Sequence, residues 1–115
     1  MKTKQKNKST ELTSLGNLTA SQLRSRQSQL TIIDVRSKLE YLTGHIPGAR
    51  NLGRDRILKT VPKDQPVAIT CLSGHRSAPV AKWLVKQGYQ KVYNLQGGMV
   101  TWQMAHYPIK RGFSP

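Results

Sequence analysis

The chain has a single cysteine, Cys71, and it opens the run Cys71-Leu72-Ser73-Gly74-His75-Arg76-Ser77. These residue types suit the chemistry of one thiolate. If the loop curls into a cradle, the N–H groups from Leu72 to Ser77 converge on the sulfur, as arrays of amides converge on bound anions. The start of a following helix would add its dipole. Both favour S⁻ over SH, so the thiol should titrate below its free value of roughly 8.5. Gly74 supplies a position where a positive φ carries no penalty. Arg76 adds a permanent cation with a planar fork suited to an oxyanion. The side chain of His75 should point away from the sulfur toward solvent. Ser73 offers a hydroxyl contact, and Ser77 is placed to cap the helix that follows. The competing reading is an inert buried thiol, the ordinary fate of a lone cysteine. Packing alone seldom calls for a loop of this kind with Gly and Arg, which argues against that reading.

Such a thiol needs elements that hold it. Val67-Ala68-Ile69-Thr70, introduced by Pro66, reads as a buried strand leading into the loop. Ala78, Ala81, Leu84 and Val85 then fall at helical spacing, predicting a helix from about Ser77 to Gln87 that Gly88 terminates. Pro79 lies in its first turn, where a missing N–H deletes no helical bond. Upstream, Thr19 and Ser37 each start a capping box, with Gln22 and Glu40 three residues on, and each predicts a short helix. Between them Thr31–Val35 is an apolar, β-branched run, best read as a central strand. Turn chemistry over Gly44–Gly48 precedes a brief strand around Ala49–Leu52. A further strand over Lys91–Leu95, a Gly97-Gly98 turn and a last helix over Met99–Ala105 complete the order. Strands alternating with helices imply an α/β domain, with a mostly parallel sheet covered on both faces. Ligands bind outside the carboxyl ends of such strands, so Asp34-Val35-Arg36 and Cys71 should meet at one edge. Asp34 is expected to accept N–H groups of the cysteine loop, and Arg36 to pair with Glu40 or Asp34. Trp83 and Trp102 are read as packing, and His45 as the tie of a shaped turn.

At 115 residues the chain is one domain. Residues 1–13 are read as a disordered basic tail, 14–111 as the domain and 112–115 as a C-terminal tail. No signal peptide and no stretch of about 18 apolar residues is present, so a cytoplasmic location is expected. His45, His75 and His106 are scattered and show no ligand spacing with the cysteine, so neither a metal nor a cofactor is implied. A lone cysteine forms no internal bridge, and any oxidised or persulfurated Cys71 must be resolved by another molecule. Nineteen basic against five acidic residues give a net charge of +14, with no acid beyond Asp64. That field draws small anions and anionic partners. Lys2, Lys4, Lys6 and Lys8 read as a solvated extension. Contact with RNA or an anionic lipid surface is the alternative, without support from an aromatic-interleaved patch or an amphipathic helix.

Four segments together resemble the single-domain rhodaneses, a sulfurtransferase family. They are Ile33-Asp34-Val35-Arg36; Glu40-Tyr41 with Gly44-His45-Ile46-Pro47-Gly48-Ala49; Cys71 through Ser77; and Gly97-Gly98 with Trp102. The likeness covers about residues 14–110. It implies a three-layer rhodanese-like fold and a two-step transfer through a Cys71 persulfide. Thiosulfate or a persulfide is the donor; cyanide, a thiol or a sulfur-relay protein is the acceptor. Leu72, Ser73, Gly74, His75, Arg76 and Ser77 would bind substrate, with Asp34, Arg36 and Glu40 in support. A monomer is expected. Phosphatases and arsenate reductases of related folds share the Cys…Arg logic, but the phosphatase loop sets five residues between the two. Here four intervene, Leu72 to His75, and the smaller ring suits one sulfur atom better than four oxygens. A third reading is a non-catalytic docking adaptor, against which stands the intact loop.

Overall fold

A computed structural model describes residues 14–115; the basic tail read from residues 1–13 lies outside the described residues. Five strands form one parallel sheet: β1 (Leu15–Leu18), β2 (Thr31–Asp34), β3 (Arg50–Asn51), β4 (Val67–Thr70) and β5 (Val92–Leu95). Their spatial order is β1-β5-β4-β2-β3, which puts β4 at the centre. Five α-helices connect them: α1 (Ala20–Ser25), α2 (Lys38–Thr43), α3 (Arg54–Thr60), α4 (Ser77–Lys86) and α5 (Gly98–Met104).

The alternation of side chains along buried strands explains the three layers. Ile32, Ala68 and Leu95 face one way and pack with Leu23, Tyr41, Met99 and Trp102, so α1, α2 and α5 cover that face. Ile33, Val67, Ile69 and Val92 face the other way and pack with Ile57, Val80, Ala81 and Leu84 of α3 and α4. All four residues of β4 are buried, as its unbroken apolar run demands.

Both capping boxes form: Thr19 and Ser37 each accept the N–H three residues on, and Gln22 and Glu40 reach back. Pro79 sits in the first turn of α4, and Gly88 follows that helix at φ 100°. The structure adds β1 and α3, which the sequence does not announce. It also trims β2 by Val35 and reduces β3 to two residues. The C-terminal residues touch the domain: the Ser114 carbonyl lies 2.8 Å from His45 Nε2, and Lys38 Nζ sits 5.2 Å from the Phe113 ring centroid. His45 is buried and stacked on Tyr41, with Nδ1 2.9 Å from the Tyr41 carbonyl, as befits a shaped turn. Among the described residues no helix is long and apolar enough to cross a membrane.

One expected contact is not made. Asp34 does not accept from the cysteine loop. Its carboxylate takes the Arg36 backbone N–H at 2.9 Å and the Arg36 guanidinium at 2.8–3.1 Å. Arg36 also donates to the Gly44 carbonyl at 2.7 Å, and both side chains are buried. A buried guanidinium needs a fixed counter-charge close by, and the carboxylate two residues upstream supplies it before any loop amide can. The pair therefore fastens the carboxyl end of β2 to the turn after α2. Asp34→Ala leaves a buried cation unpaired and should cost about 3–5 kcal/mol. Urea unfolding read by circular dichroism checks this, and a loss below about 1 kcal/mol would refute the buried-pair account.

Candidate functional site

Cys71 follows the last residue of β4 at the centre of the sheet and is fully buried. Burial alone would make it inert. The loop around it, however, turns its amides inward. The N–H groups of Gly74 and Ser77 point at Sγ from 3.1 and 3.3 Å, and Ser77 Oγ lies 3.3 Å away. Gly74 permits the curl, at φ 93°.

The inward turn has a structural cause in α5. The loop's first two carbonyls, of Cys71 and Leu72, accept the N–H groups of Met99 and Val100 at 2.9 and 3.0 Å. Those are first-turn amides of α5, which lack partners within the helix. Carbonyls drawn outward to a helix start leave the following amides free to face the sulfur. Gly98 makes the approach feasible: a Cβ there would stand 2.4 Å from the Cys71 oxygen and 2.7 Å from that of Leu72, at a φ of 57°.

Burial is the largest influence on the thiol and raises its pKa. The Ser77 hydroxyl and the N–H groups of Ser77, Gly74 and Ser73 together outweigh it, so Cys71 titrates below an ordinary thiol. The electrostatics thus favour a thiolate held by fixed donors. No general base is needed beside it.

The other sequence-predicted residues divide. Gly74 and Ser77 surround the sulfur directly. Ser77 does not cap α4, because Arg76 holds the N-cap position without a side-chain bond. As the first residue inside the helix, Ser77 instead turns its hydroxyl toward Sγ, the Gly74 carbonyl and Asn94. Leu72 is half-exposed on the rim. Ser73 Oγ and His75 Nδ1 sit 3.0 Å apart, and both residues are exposed. Arg76 does not aim its fork at the cradle: both terminal nitrogens engage the Glu40 carboxylate at 2.8–2.9 Å. Glu40, bonded first by Arg76 and also by Ser37, has its pKa held down to about 2 against the opposing effect of burial, and Arg76 is pushed further up. The pair is half-exposed, so solvent discounts its strength. Its effect is geometric, tying the cysteine loop to α2. Asp34 and Arg36 support the neighbouring strand end rather than the loop.

Asn94 of β5 escaped the sequence reading. Its Oδ1 lies 2.5 Å from Ser77 Oγ, and its Nδ2 donates to the Gly74 carbonyl at 3.3 Å. The available signal was an amide inside Val92-Tyr93-Asn94-Leu95, a strand otherwise apolar or aromatic, near its carboxyl end. Among the described residues no three of His, Cys, Asp and Glu gather where a metal could be held.

Residues 19–105 match the model of the rhodanese-like domain. The thiosulfate sulfurtransferase GlpE of Pseudoalteromonas translucida is 35% identical over 83 residues, 70% of this chain and 79% of that protein. A rhodanese-related protein from Thermoplasma volcanium superposes with a TM-score of 0.75 at 26% identity, covering 82% of this chain and 96% of its own. A protein of unknown function from Rhodopseudomonas palustris, described as a possible tyrosine phosphatase, superposes at 0.73 with 27% identity, over 87% and 88% of the two chains.

Gly98→Ala brings a methyl group against two loop carbonyls at an unfavourable φ. It should destabilise the fold by about 2–4 kcal/mol and raise the pH midpoint of Cys71 alkylation. Urea melts and iodoacetamide rates against pH measure the two effects. An unchanged midpoint in the folded variant would show that α5 does not set the direction of the amides.

Proposed function

The chain belongs to the rhodanese-like domain family, and on that premise we propose that it transfers a sulfane sulfur from thiosulfate through a persulfide on Cys71. The observation that carries this reading is the convergence of the Gly74 and Ser77 N–H groups on one buried sulfur, with the Ser77 hydroxyl within reach of it.

In the first half-reaction the Cys71 thiolate attacks the outer sulfur of thiosulfate. A bond forms from Sγ to that sulfur while its bond to the sulfonate sulfur breaks, and the electron pair leaves on sulfite. The product is Cys71–S–S⁻, whose terminal charge needs the same inward amides that held the thiolate. In the second half-reaction cyanide or a thiolate attacks the outer sulfur. The S–S bond breaks and its electron pair returns to Cys71. Neither step requires the protein to give or take a proton, in keeping with a loop that has donors and no general base. Leu72 and His75 line the approach, and the positive field of the chain draws the anionic donor. Arg76 acts from the rim: its fork stays on Glu40, and its charge adds to the field at the sulfur.

The geometry disfavours phosphate ester chemistry. Four residues between Cys71 and Arg76 make a ring sized for one atom, and the arginine fork that would clamp a phosphate is turned to Glu40. The carboxylates nearest the loop, Glu40 and Asp34, are engaged by Arg76 and Arg36, which leaves neither free to protonate a leaving alkoxide.

Incubation with thiosulfate should add the mass of one sulfur atom, removable by cyanide and absent in Cys71→Ser. Mass spectrometry of the intact protein decides this. No added sulfur from thiosulfate, or turnover of an aryl phosphate or arsenate in its place, would overturn the assignment. Arg76→Ala should raise the KM for thiosulfate roughly threefold to tenfold with little change in kcat, the signature of lost field rather than lost chemistry. Steady-state cyanide assays separate the two constants.

A further inference from the structure

Ser77 has one hydroxyl proton and three acceptors within reach. Asn94 Oδ1 stands at 2.5 Å, while Cys71 Sγ and the Gly74 carbonyl both stand at 3.3 Å. The orientation of the Asn94 amide is fixed from outside the pair. Its Nδ2 faces the Gly74 carbonyl, and an amide turned over would set two oxygens against each other there. Oδ1 must therefore face Ser77. Two oxygens at that separation need a proton between them, so the hydroxyl points to Asn94 while Sγ is uncharged. To donate to a thiolate it must rotate away from Asn94.

We propose that Asn94 is a positioning residue that competes with Cys71 Sγ for the Ser77 hydroxyl proton and thereby sets how strongly the sulfur's charge is stabilised. This rests on the sulfur-transfer reading above and deepens it. When Sγ is bonded to a second sulfur it carries no charge, and the hydroxyl resides on Asn94. When Sγ leaves as a thiolate in the second half-reaction, the hydroxyl swings back to it. In the first half-reaction the return swing to Asn94 withdraws that donor as the sulfur attacks. A less stabilised thiolate is the stronger nucleophile and a more stabilised one the better leaving group. One hydroxyl with two acceptors serves both steps. Only a hydrogen bond moves; no proton leaves Ser77.

The charged groups around Cys71 are Arg76 of the loop with Glu40 of α2 on its fork, and Asp34 of β2 held by Arg36. His75 is exposed beside Ser73, and α5 contributes backbone to the loop. None of these groups bonds to Asn94, so an Asn94 substitution leaves them in place. A cleft of about 320 Å³ between β1 and α4 reaches Asn94, lined also by Asn17, Ala78 and Lys82. Water could enter it after truncation to alanine, so a side chain that fills the volume without an acceptor is the sharper variant.

The test is the rate of iodoacetamide alkylation of Cys71 against pH, with no sulfur donor present. Asn94→Leu and Asn94→Ala should lower the midpoint by about half a unit to one unit, because the freed hydroxyl donates to sulfur. The plateau rate at high pH should fall as well. Ser77→Ala should raise the midpoint, and in that background Asn94→Leu should shift nothing. A midpoint that rises or stays put in the folded Asn94 variants overturns the proposal, as does an equal shift with Ser77 absent. A purely structural role for Asn94 would change melting temperature without this dependence on Ser77. The readout involves no sulfur transfer. Loss of the persulfide with the shift intact would sink the enzymatic reading alone, and the reverse result would sink the role of Asn94 alone.

Discussion

Two hydrogen bonds between the cysteine loop and the start of α5 set the character of this site. A loop leaving the end of β4 has carbonyls and amides to dispose of, and one set must face the sulfur. Met99 and Val100 claim the carbonyls of Cys71 and Leu72, and the amides that follow are left for Sγ. The glycine at position 98 matters more for what it lacks than for its flexibility, since any side chain would hold the two segments apart. The same contact serves both partners, because α5 gains acceptors for amides that its own first turn cannot satisfy.

Behind this contact stands a sheet whose order brings the necessary groups to one edge. With β4 flanked by β5 and β2, Asn94 and Asp34 arrive on either side of Cys71. They do different work. Asn94 reaches the sulfur's immediate surroundings through Ser77, whereas Asp34 is consumed by Arg36 and stabilises a strand end. Proximity to a reactive group did not predict involvement with it; the nearest uncompensated charge decided. Glu40 shows the same rule, since it caps α2 and also holds Arg76, so that one carboxylate joins a local motif to a loop 36 residues away.

Features governed by local rules were legible in the sequence. The strand Val67–Thr70, both capping boxes, the helix after the cysteine and its glycine stop depend on neighbours within a few residues. The positive φ at Gly74 is likewise local, whereas the inward direction of the loop amides depends on α5. What the sequence concealed depends on distant partners. The strand β1, Leu-Gly-Asn-Leu, has poor strand composition and exists because it pairs with β5 in register, Leu15 with Val92. Helix α3 follows Gly53, which offers no side-chain cap, and is held by Ile57 against the core. The turn of Ser77 toward the sulfur, the grip of Glu40 on Arg76 and the presence of Asn94 all arise from tertiary placement. Spacing along the chain cannot reveal them.

The full burial of Cys71 bears on reactivity as much as on stability. A thiolate in water is wrapped in mobile donors that must reorganise before it can attack; here the donors are fixed and few. Burial raises the thiol's pKa and the loop donors lower it by more, so the anion forms below the ordinary thiol range without being smothered by solvent. On the proposed sulfur-transfer reading, the same enclosure selects the reactant. A group bearing four oxygens on its reacting atom would need to spread the loop and take Arg76 from Glu40. The terminal sulfur of thiosulfate is a single atom projecting from its sulfonate, and it can reach Sγ while the bulk of the ion stays outside. On that reading depth and narrowness act together: the ring that stabilises one sulfur favours a reagent that offers its sulfur at the tip.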